Sequence, residues 1–123
     1  MVLAAPSDVI LSDENVVQPD LLFVSTARAG IVTEDSIRGA PDLVVEIVSE
    51  TTRKKDEVTK RKLYERFGVQ EYWVVDPELE IVKIFRRTRQ GYGHALELSK
   101  EAGDILTTEL LTGFKLALSA IFD

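Results

Sequence analysis

The sequence predicts a single α/β domain in which one main helix packs on a mixed β-sheet. A short apolar run, Leu43 to Ser49, precedes a helical segment, and a second apolar run, Glu71 to Val75, follows it. Strand, helix and strand in that order are typical of a βαβ unit with parallel strands. A turn at Arg89-Gln90-Gly91 lies between two further apolar segments, Ile81 to Phe85 and Tyr92 to Leu98, and therefore predicts a C-terminal β-hairpin.

The composition fits one soluble domain over residues 1–123 and excludes several kinds of site. The chain is 45% hydrophobic and contains no cysteine, which excludes disulfides and thiolate metal sites and fits a reducing cytoplasm. The single histidine, His94, rules out a multi-histidine metal site. No apolar run is long enough for a membrane span, and we expect no organic cofactor. A catalytic site in this chain must therefore consist of carboxylates and lysines.

The charge pattern argues for selective rather than indiscriminate contact with nucleic acid. The net charge is −6, and an acidic body repels a phosphate backbone. Eleven of the fifteen basic residues nevertheless fall in two segments, residues 53–66 and 83–89. Such local positive patches can still bind phosphates.

The first forty residues predict short strands and one long connection. A weak strand around Val9-Ile10-Leu11 is followed by a polar turn and a return through Val16-Val17. The apolar run Leu21 to Ser25 predicts a second strand after Pro19-Asp20. Residues 26–40 mix Ala, Arg, Gly, Thr and Asp, and we expect a connection with one irregular turn that is long enough to line a cleft.

The run from Leu43 to Ser49 is typical of a strand buried on both faces, yet it contains Glu46. An isolated ionised carboxylate in an apolar interior costs several kcal/mol unless it is paired, protonated or bound to a metal. One reading is structural, with Glu46 at a strand edge and paired to an arginine. We favour the other reading, in which Glu46 lines a functional cleft.

The helix after this strand is predicted to begin in the low 50s and to end at Phe67, because Gly68 supplies a stop. Ser49, Thr51 and Thr52 are candidate N-caps. Helical spacing predicts an inward stripe of Lys60, Leu63, Tyr64 and Phe67. It places four other residues mainly away from the centre of the stripe, namely Arg61, Lys62, Glu65 and Arg66.

Three side chains from three elements are predicted to converge. If residues 21–25 pair antiparallel with residues 43–49, Asp20 lies near Glu46, and Asp42 lies at the far end beside Ser25, where it caps a turn. Lys60 reaches toward the same end as Asp20 and Glu46. Carboxylate oxygens suit Mg²⁺ or Mn²⁺, and a lysine can orient a water or stabilise phosphate charge. This is minimal equipment for metal-assisted phosphodiester hydrolysis.

The residues that carry this prediction resemble those of the Uma-two family, endonucleases of the PD-(D/E)XK superfamily with a restriction-endonuclease-like fold. The resemblance covers about residues 6–118. It implies that Asp20 and Glu46 are the first and second acidic motifs, that the cofactor is Mg²⁺ or Mn²⁺, and that the substrate is DNA. The matching segments are Gln18 to Val24, Ala40 to Ser49, Thr52 to Asp56, Lys60, Tyr64, Gly68-Val69 and Glu71 to Pro77.

Two departures from the family pattern matter. Val48 stands where the superfamily has a lysine two residues after the second acid, and Lys60 looks like its migrated replacement. An N-terminal helix and strand that are usual in the family have no counterpart here, so we expect an N-terminally shortened core. Its exposed sheet edge could be covered by a partner chain, which predicts a homodimer.

Two functional hypotheses follow. In the first, Asp20, Glu46 and the backbone carbonyl of Ile47 bind Mg²⁺ or Mn²⁺, and Lys60 orients the attacking water for DNA hydrolysis. In the second, the chain is an inactive relative that serves as a binding or oligomerisation module. The motive for the second is the missing strand lysine together with the missing N-terminal part. Structural roles are expected for Trp73, Tyr64 and Phe67 in the core and for an exposed His94.

Overall fold

A computed structural model describes residues 1–49 and 53–122, and for residues 53–56 it describes the backbone alone. The main helix, α1, spans Arg53–Phe67, a short helix, α2, spans Leu118–Ile121, and a 3-10 helix spans Thr26–Ile31. The strands are β1 (Val2–Ala4), β2 (Val9–Ser12), β3 (Asn15–Val17), β4 (Leu21–Phe23), β5 (Ile37–Arg38), β6 (Leu43–Ile47), β7 (Glu71–Asp76), β8 (Ile81–Thr88), β9 (Gly91–Tyr92), β10 (Leu96–Ser99), β11 (Ile105–Thr107) and β12 (Lys115–Ala117).

The main sheet has the order β1-β4-β6-β7-β8-β10, and β9 also pairs with β8. Strands β6 and β7 run parallel, and α1 connects them, which confirms the predicted βαβ unit. The predicted hairpin is also confirmed, since β8 pairs antiparallel with both β9 and β10. The domain is therefore an α+β domain with a mixed β-sheet and one main helix.

The pairing of β4 with β6 sets the position of the acidic residues. The two strands run antiparallel, and Leu21 lies opposite Val45 while Phe23 lies opposite Leu43. Continuing this register by one residue brings Asp20 opposite Glu46. The predicted antiparallel pair is thus confirmed.

The N-terminal region contains more regular structure than expected. Strand β1 was not predicted; it pairs antiparallel with β4 and forms one edge of the main sheet. The predicted hairpin of β2 and β3 is confirmed, and β5 joins β2 in parallel. The connection after β4 contains the 3-10 helix as well as β5, so it is more ordered than a single irregular turn.

The two faces of the main sheet pack against different elements and bury different side chains. On one face Leu43, Val45 and Trp73 pack against the hairpin of β11 and β12 and against α2 in a hydrophobic cluster, at whose edge Trp73 donates to the buried Glu71. On the other face Val44, Val74 and Tyr72 pack with Tyr64 of α1. Glu46 lies on this second face, because side chains alternate along β6.

Helix α1 ends as predicted at Gly68. This residue has a φ of +83°, a conformation that glycine adopts without a steric penalty. The amide of Gly68 donates to the carbonyl of Glu65, and the amide of Val69 donates to that of Tyr64. These bonds satisfy carbonyls at the end of the helix and turn the chain into β7. The predicted N-caps Thr51 and Thr52 lie outside the described residues.

The predicted inward stripe of α1 was partly wrong. Tyr64 is fully buried, but Leu63 and Phe67 are only half-buried. Arg61, which the stripe placed outward, lies 5.7 Å from the ring centroid of Phe85, and Glu65 accepts a 2.6 Å hydrogen bond from the amide of Tyr92. The helix is rotated because charged residues on its sheet side find partners on the β8–β9 hairpin.

None of the helices in the described part of the chain combines the length and the apolar character that a membrane crossing requires.

Candidate active site

Two carboxylates meet where β4 begins and β6 ends. Asp20 stands just before β4 and accepts a 2.6 Å hydrogen bond from the backbone amide of Ile47 through Oδ2. This bond ties the Asp20 side chain to the end of β6. The negative charge of Asp20 contributes to a raised pKa for Glu46, as expected for two carboxylates that face each other across a strand pair.

Glu46 is buried, with 4% of its surface exposed, and two described side chains contact the same oxygen of its carboxylate. The hydroxyl of Tyr64 donates to Oε2 at 2.8 Å. The ammonium of Lys60 lies 3.1 Å from the same Oε2. Both partners come from α1, four residues apart and hence on one face of the helix. The helix therefore supplies the environment of the buried carboxylate.

The pKa of Glu46 is raised above its ordinary value. Burial is the largest cause, because it disfavours the charged form. The hydrogen bond from Tyr64 and the charge of Lys60 offset part of this rise, and the charge of Asp20 adds to it. Burial, followed by the charge of Glu46, also raises the pKa of Tyr64 far above its usual range. The tyrosine hydroxyl thus stays protonated and remains a donor to Glu46.

Lys60 reaches the predicted side of the sheet. Its side chain is 32% exposed, so the ammonium contacts both Glu46 and solvent. Among the described side chains, the cation beside this carboxylate is Lys60 rather than an arginine. The three predicted residues Asp20, Glu46 and Lys60 therefore lie together at one end of the sheet.

Asp42 lies at the opposite end of β6, beside Ser25, as predicted. Its Oδ2 accepts a 2.7 Å hydrogen bond from the amide of Ser25, and its Oδ1 lies 3.3 Å from both Arg28 and the side-chain nitrogen of Gln70. Donors therefore reach both oxygens of Asp42. This residue holds the turn after β4 and is not part of the candidate site. His94 is exposed on the link between β9 and β10.

The predicted stripe assigned Tyr64 to the core alone and did not anticipate the hydrogen bond that its hydroxyl donates to Glu46. The available signal was its spacing of four residues from Lys60 on an inward face, together with the hydroxyl that a buried tyrosine usually hydrogen-bonds. The prediction also missed an ion pair one helical turn before Lys60. There Glu57 of α1 lies 3.0 Å from Lys83 of β8 and anchors the helix to the sheet beside the site.

The donor set suits a hard divalent cation. Within residues 1–49 and 53–122, no group of three or more histidine, aspartate or glutamate side chains is placed to hold a metal ion. Mg²⁺, however, commonly keeps several waters and is held by only one or two carboxylates. Asp20 and Glu46 supply two carboxylates on neighbouring strands, so the residues present fit such an ion.

This fold, a mixed sheet with one main helix over a carboxylate pair, defines a restriction-endonuclease-like core. The Uma2 family model, described as "Putative restriction endonuclease", matches residues 1–119, so the chain belongs to that family, the Uma-two family. The resemblance predicted from the sequence is thereby confirmed.

A solved structure has the same fold. It is described as a "putative nuclease belonging to DUF820" from Anabaena variabilis, and it superposes with a TM-score of 0.78 at 17% sequence identity. The match covers 98% of this chain and 66% of that chain, so this chain spans about two thirds of the length of the solved relative. None of the curated proteins matches the sequence.

Proposed function

We propose that this protein is a metal-dependent endonuclease that hydrolyses DNA phosphodiester bonds. The observation that carries the proposal is the buried carboxylate of Glu46, which faces Asp20 on the neighbouring strand and has Lys60 at 3.1 Å. A buried acid with a raised pKa beside a specific charge partner is typical of functional sites. Membership of a family described as "Putative restriction endonuclease" supports the same reaction class.

Each residue has a distinct role in this proposal. Asp20 and Glu46 bind Mg²⁺ or Mn²⁺, and the backbone carbonyl of Ile47 is the third protein ligand. When bound, the ion supplies Lewis-acid stabilisation of the charge on the phosphate. Lys60 keeps its ammonium at the boundary between Glu46 and solvent, where it can orient an attacking water and offset negative charge on the substrate.

Contact with the DNA backbone is assigned to α1. Lys62 and Arg66 are exposed on this helix, on the face turned away from Lys60. Basic side chains bind phosphates without regard to sequence and so position the duplex. The acidic remainder of the chain limits binding elsewhere.

The test is nicking of supercoiled plasmid in Mg²⁺ or Mn²⁺, with chelator as a blank. Glu46→Gln removes the charge that holds the metal, and Lys60→Met removes the ammonium while retaining the aliphatic stem. Each change should lower the nicking rate at least about 100-fold, the lower range for loss of a positioned catalytic group.

The matched control is Lys100→Met, which breaks a similar ion pair, Lys100 with Glu80 at 3.2 Å, in a different part of the sheet. Its rate should equal that of the parental protein. Nicking that persists in both Glu46→Gln and Lys60→Met would contradict the proposal.

The second hypothesis, an inactive relative that serves as a binding or oligomerisation module, has one observation in its favour. Lys60 already lies against Glu46, and such an ion pair offsets the buried charge without a metal. Under this hypothesis, calorimetry detects no uptake of Mn²⁺ by the parental protein. Uptake that Glu46→Gln abolishes would exclude it.

We further propose that the chain forms a homodimer in the reducing cytoplasm. Support comes from β1 at the sheet edge and from three exposed apolar side chains near it, Val2, Leu21 and Ile47. Edge strands and apolar patches are common sites of self-association. Sedimentation at several concentrations tests the assembly, and a strict monomer would refute it.

A further inference from the structure

In the part of the chain that the structure describes, two donors contact Glu46, and both contact the same carboxylate oxygen. The Tyr64 hydroxyl and the Lys60 ammonium both reach Oε2, at 2.8 and 3.1 Å. Both come from the helix side of the carboxylate. Neither of these donors reaches Oε1, so Oε1 is the oxygen that they leave for a cation held together with Asp20.

The two donors differ in how firmly they are held. Tyr64 has no exposed surface, and its ring centroid lies 5.0 Å from that of Tyr72 in the core beneath α1. Lys60 has a flexible side chain that is 32% exposed. If Lys60 turns toward a water or a phosphate, the hydrogen bond from Tyr64 remains.

The donors also differ in charge. A tyrosine hydroxyl orients a carboxylate without bringing a positive charge near the metal, whereas an ammonium repels a divalent cation. Groups that hydrogen-bond a ligating side chain commonly set its orientation and its affinity for metal.

We propose that Tyr64 is a positioning residue for the metal site: it holds Oε2 of Glu46 so that Oε1 is presented to a divalent cation beside Asp20. This inference rests on the proposed function, because it requires that Asp20 and Glu46 bind a metal. It extends that function by assigning opposite effects on metal affinity to the two neighbours of Glu46.

The experiment is calorimetric titration with Mn²⁺ of the full chain and three variants. Tyr64→Phe removes only the hydroxyl and should weaken Mn²⁺ binding about tenfold or more, the usual cost of losing such a supporting group. Lys60→Met should bind Mn²⁺ at least as tightly as the parental protein, because a competing cation is gone. A purely structural Tyr64 would change the unfolding free energy and leave Mn²⁺ affinity unaltered.

Tyr92→Phe is the matched control. Its hydroxyl also donates a short hydrogen bond within the domain, 2.6 Å to the carbonyl of Val69, just beyond the C-terminal end of α1 and away from Glu46. This variant should keep the parental affinity for Mn²⁺. Folded Tyr64→Phe protein with parental affinity would overturn the inference.

The outcomes separate the two proposals. If Glu46→Gln abolishes Mn²⁺ binding and Tyr64→Phe does not weaken it, the role of Tyr64 is refuted and the metal site stands. If the parental protein takes up no Mn²⁺, both proposals are refuted. A crystal structure of the parental protein with Mn²⁺ decides the matter even if Tyr64→Phe does not fold. Metal on Oε1, with Tyr64 still on Oε2, supports the inference, and metal on Oε2 with Tyr64 displaced refutes it.

Discussion

The two ends of β6 carry buried carboxylates that are treated in opposite ways. Asp42 and Glu46 are four residues apart and are similarly buried, with 2% and 4% of their surfaces exposed. Donors reach both oxygens of Asp42, from Ser25, Arg28 and Gln70. The two donors to Glu46 both use Oε2, and its pKa is raised.

This difference separates a structural acid from an acid suited to bind a ligand. A buried charge whose oxygens are all hydrogen-bonded has repaid much of its desolvation cost and favours the folded state. A buried carboxylate with donors at only one of its oxygens keeps part of that desolvation cost. A cation bound to the other oxygen would offset the remainder. Burial alone therefore does not distinguish these two carboxylates, whereas the distribution of donors over their oxygens does.

The largest loss of stability is expected from a change to Asp42. Asp42→Ala should lower the free energy of unfolding by about 3 kcal/mol, since it leaves Arg28 and the buried end of β4 without their acceptor. Urea unfolding with and without Mn²⁺ measures the change, and the loss should not depend on metal. A loss below about 1 kcal/mol would remove the basis for treating Asp42 as structural.

We expect Mn²⁺ to stabilise the protein only through the Glu46 end of β6. Free Mn²⁺ at about one hundred times its Kd should stabilise the parental protein by about 2.7 kcal/mol, because the ion binds the folded state alone. The shift in Tm should vanish in Glu46→Gln, whereas Asp42→Asn should retain it from a lower starting Tm. An equal shift in all three proteins would mean that the metal binds elsewhere.

The raised pKa of Glu46 predicts how stability depends on pH in the presence of chelator. Above the ordinary pKa of the glutamate the folded state binds more protons than the unfolded state, so ionisation of Glu46 lowers stability as pH rises through its folded-state pKa. Glu46→Gln should therefore be more stable than the parental protein at pH 8, and the difference should shrink toward pH 4. Tyr64 keeps an acceptor in this variant, because glutamine has a side-chain carbonyl.

Urea midpoints for the parental protein and Glu46→Gln at several pH values provide the measurement. A gain in stability that is independent of pH would mean that ionisation of Glu46 is not its cause.

The smallest effect should come from an ion pair that lacks burial. Lys100 and Glu80 are 3.2 Å apart, almost as close as Lys60 and Glu46, but their side chains are 35% and 42% exposed. Solvent screens such a pair, so Lys100→Met should change the free energy of unfolding by less than about 0.5 kcal/mol. A larger loss would show that the distance between the two charges, rather than their burial, determines how much an ion pair contributes to stability.

Local signals predicted most of the framework that positions the site. Apolar runs located β4, β6 and β7, Gly68 ended α1, and the short connection after β4 favoured an antiparallel pair. These features depend on residues that are near one another in sequence. Together they predict from the sequence alone that Asp20 lies opposite Glu46.

The missing parts depend on contacts between distant segments. Strand β1 has only three residues, and it forms a strand because the edge of β4 provides backbone hydrogen-bonding partners for it. The rotation of α1 depends on Lys83, Phe85 and Tyr92 of the hairpin, which pair with residues 57–65. The predicted stripe placed Lys60 inward but not Arg61 and Glu65, because their partners lie on strands distant in sequence.

The hydrogen bond between Ser25 and Asp42 also controls alignment at a distance. It lies where β4 leaves the pair with β6, next to a backbone bond from the amide of Asp42 to the carbonyl of Phe23. A slip of one residue between these strands would send the Asp20 side chain through to the opposite surface. The hydrogen bond of Asp42 thus helps to fix the strand register that keeps Asp20 on the same face as Glu46. A register shift would separate these two carboxylates even in a chain that keeps every proposed metal ligand.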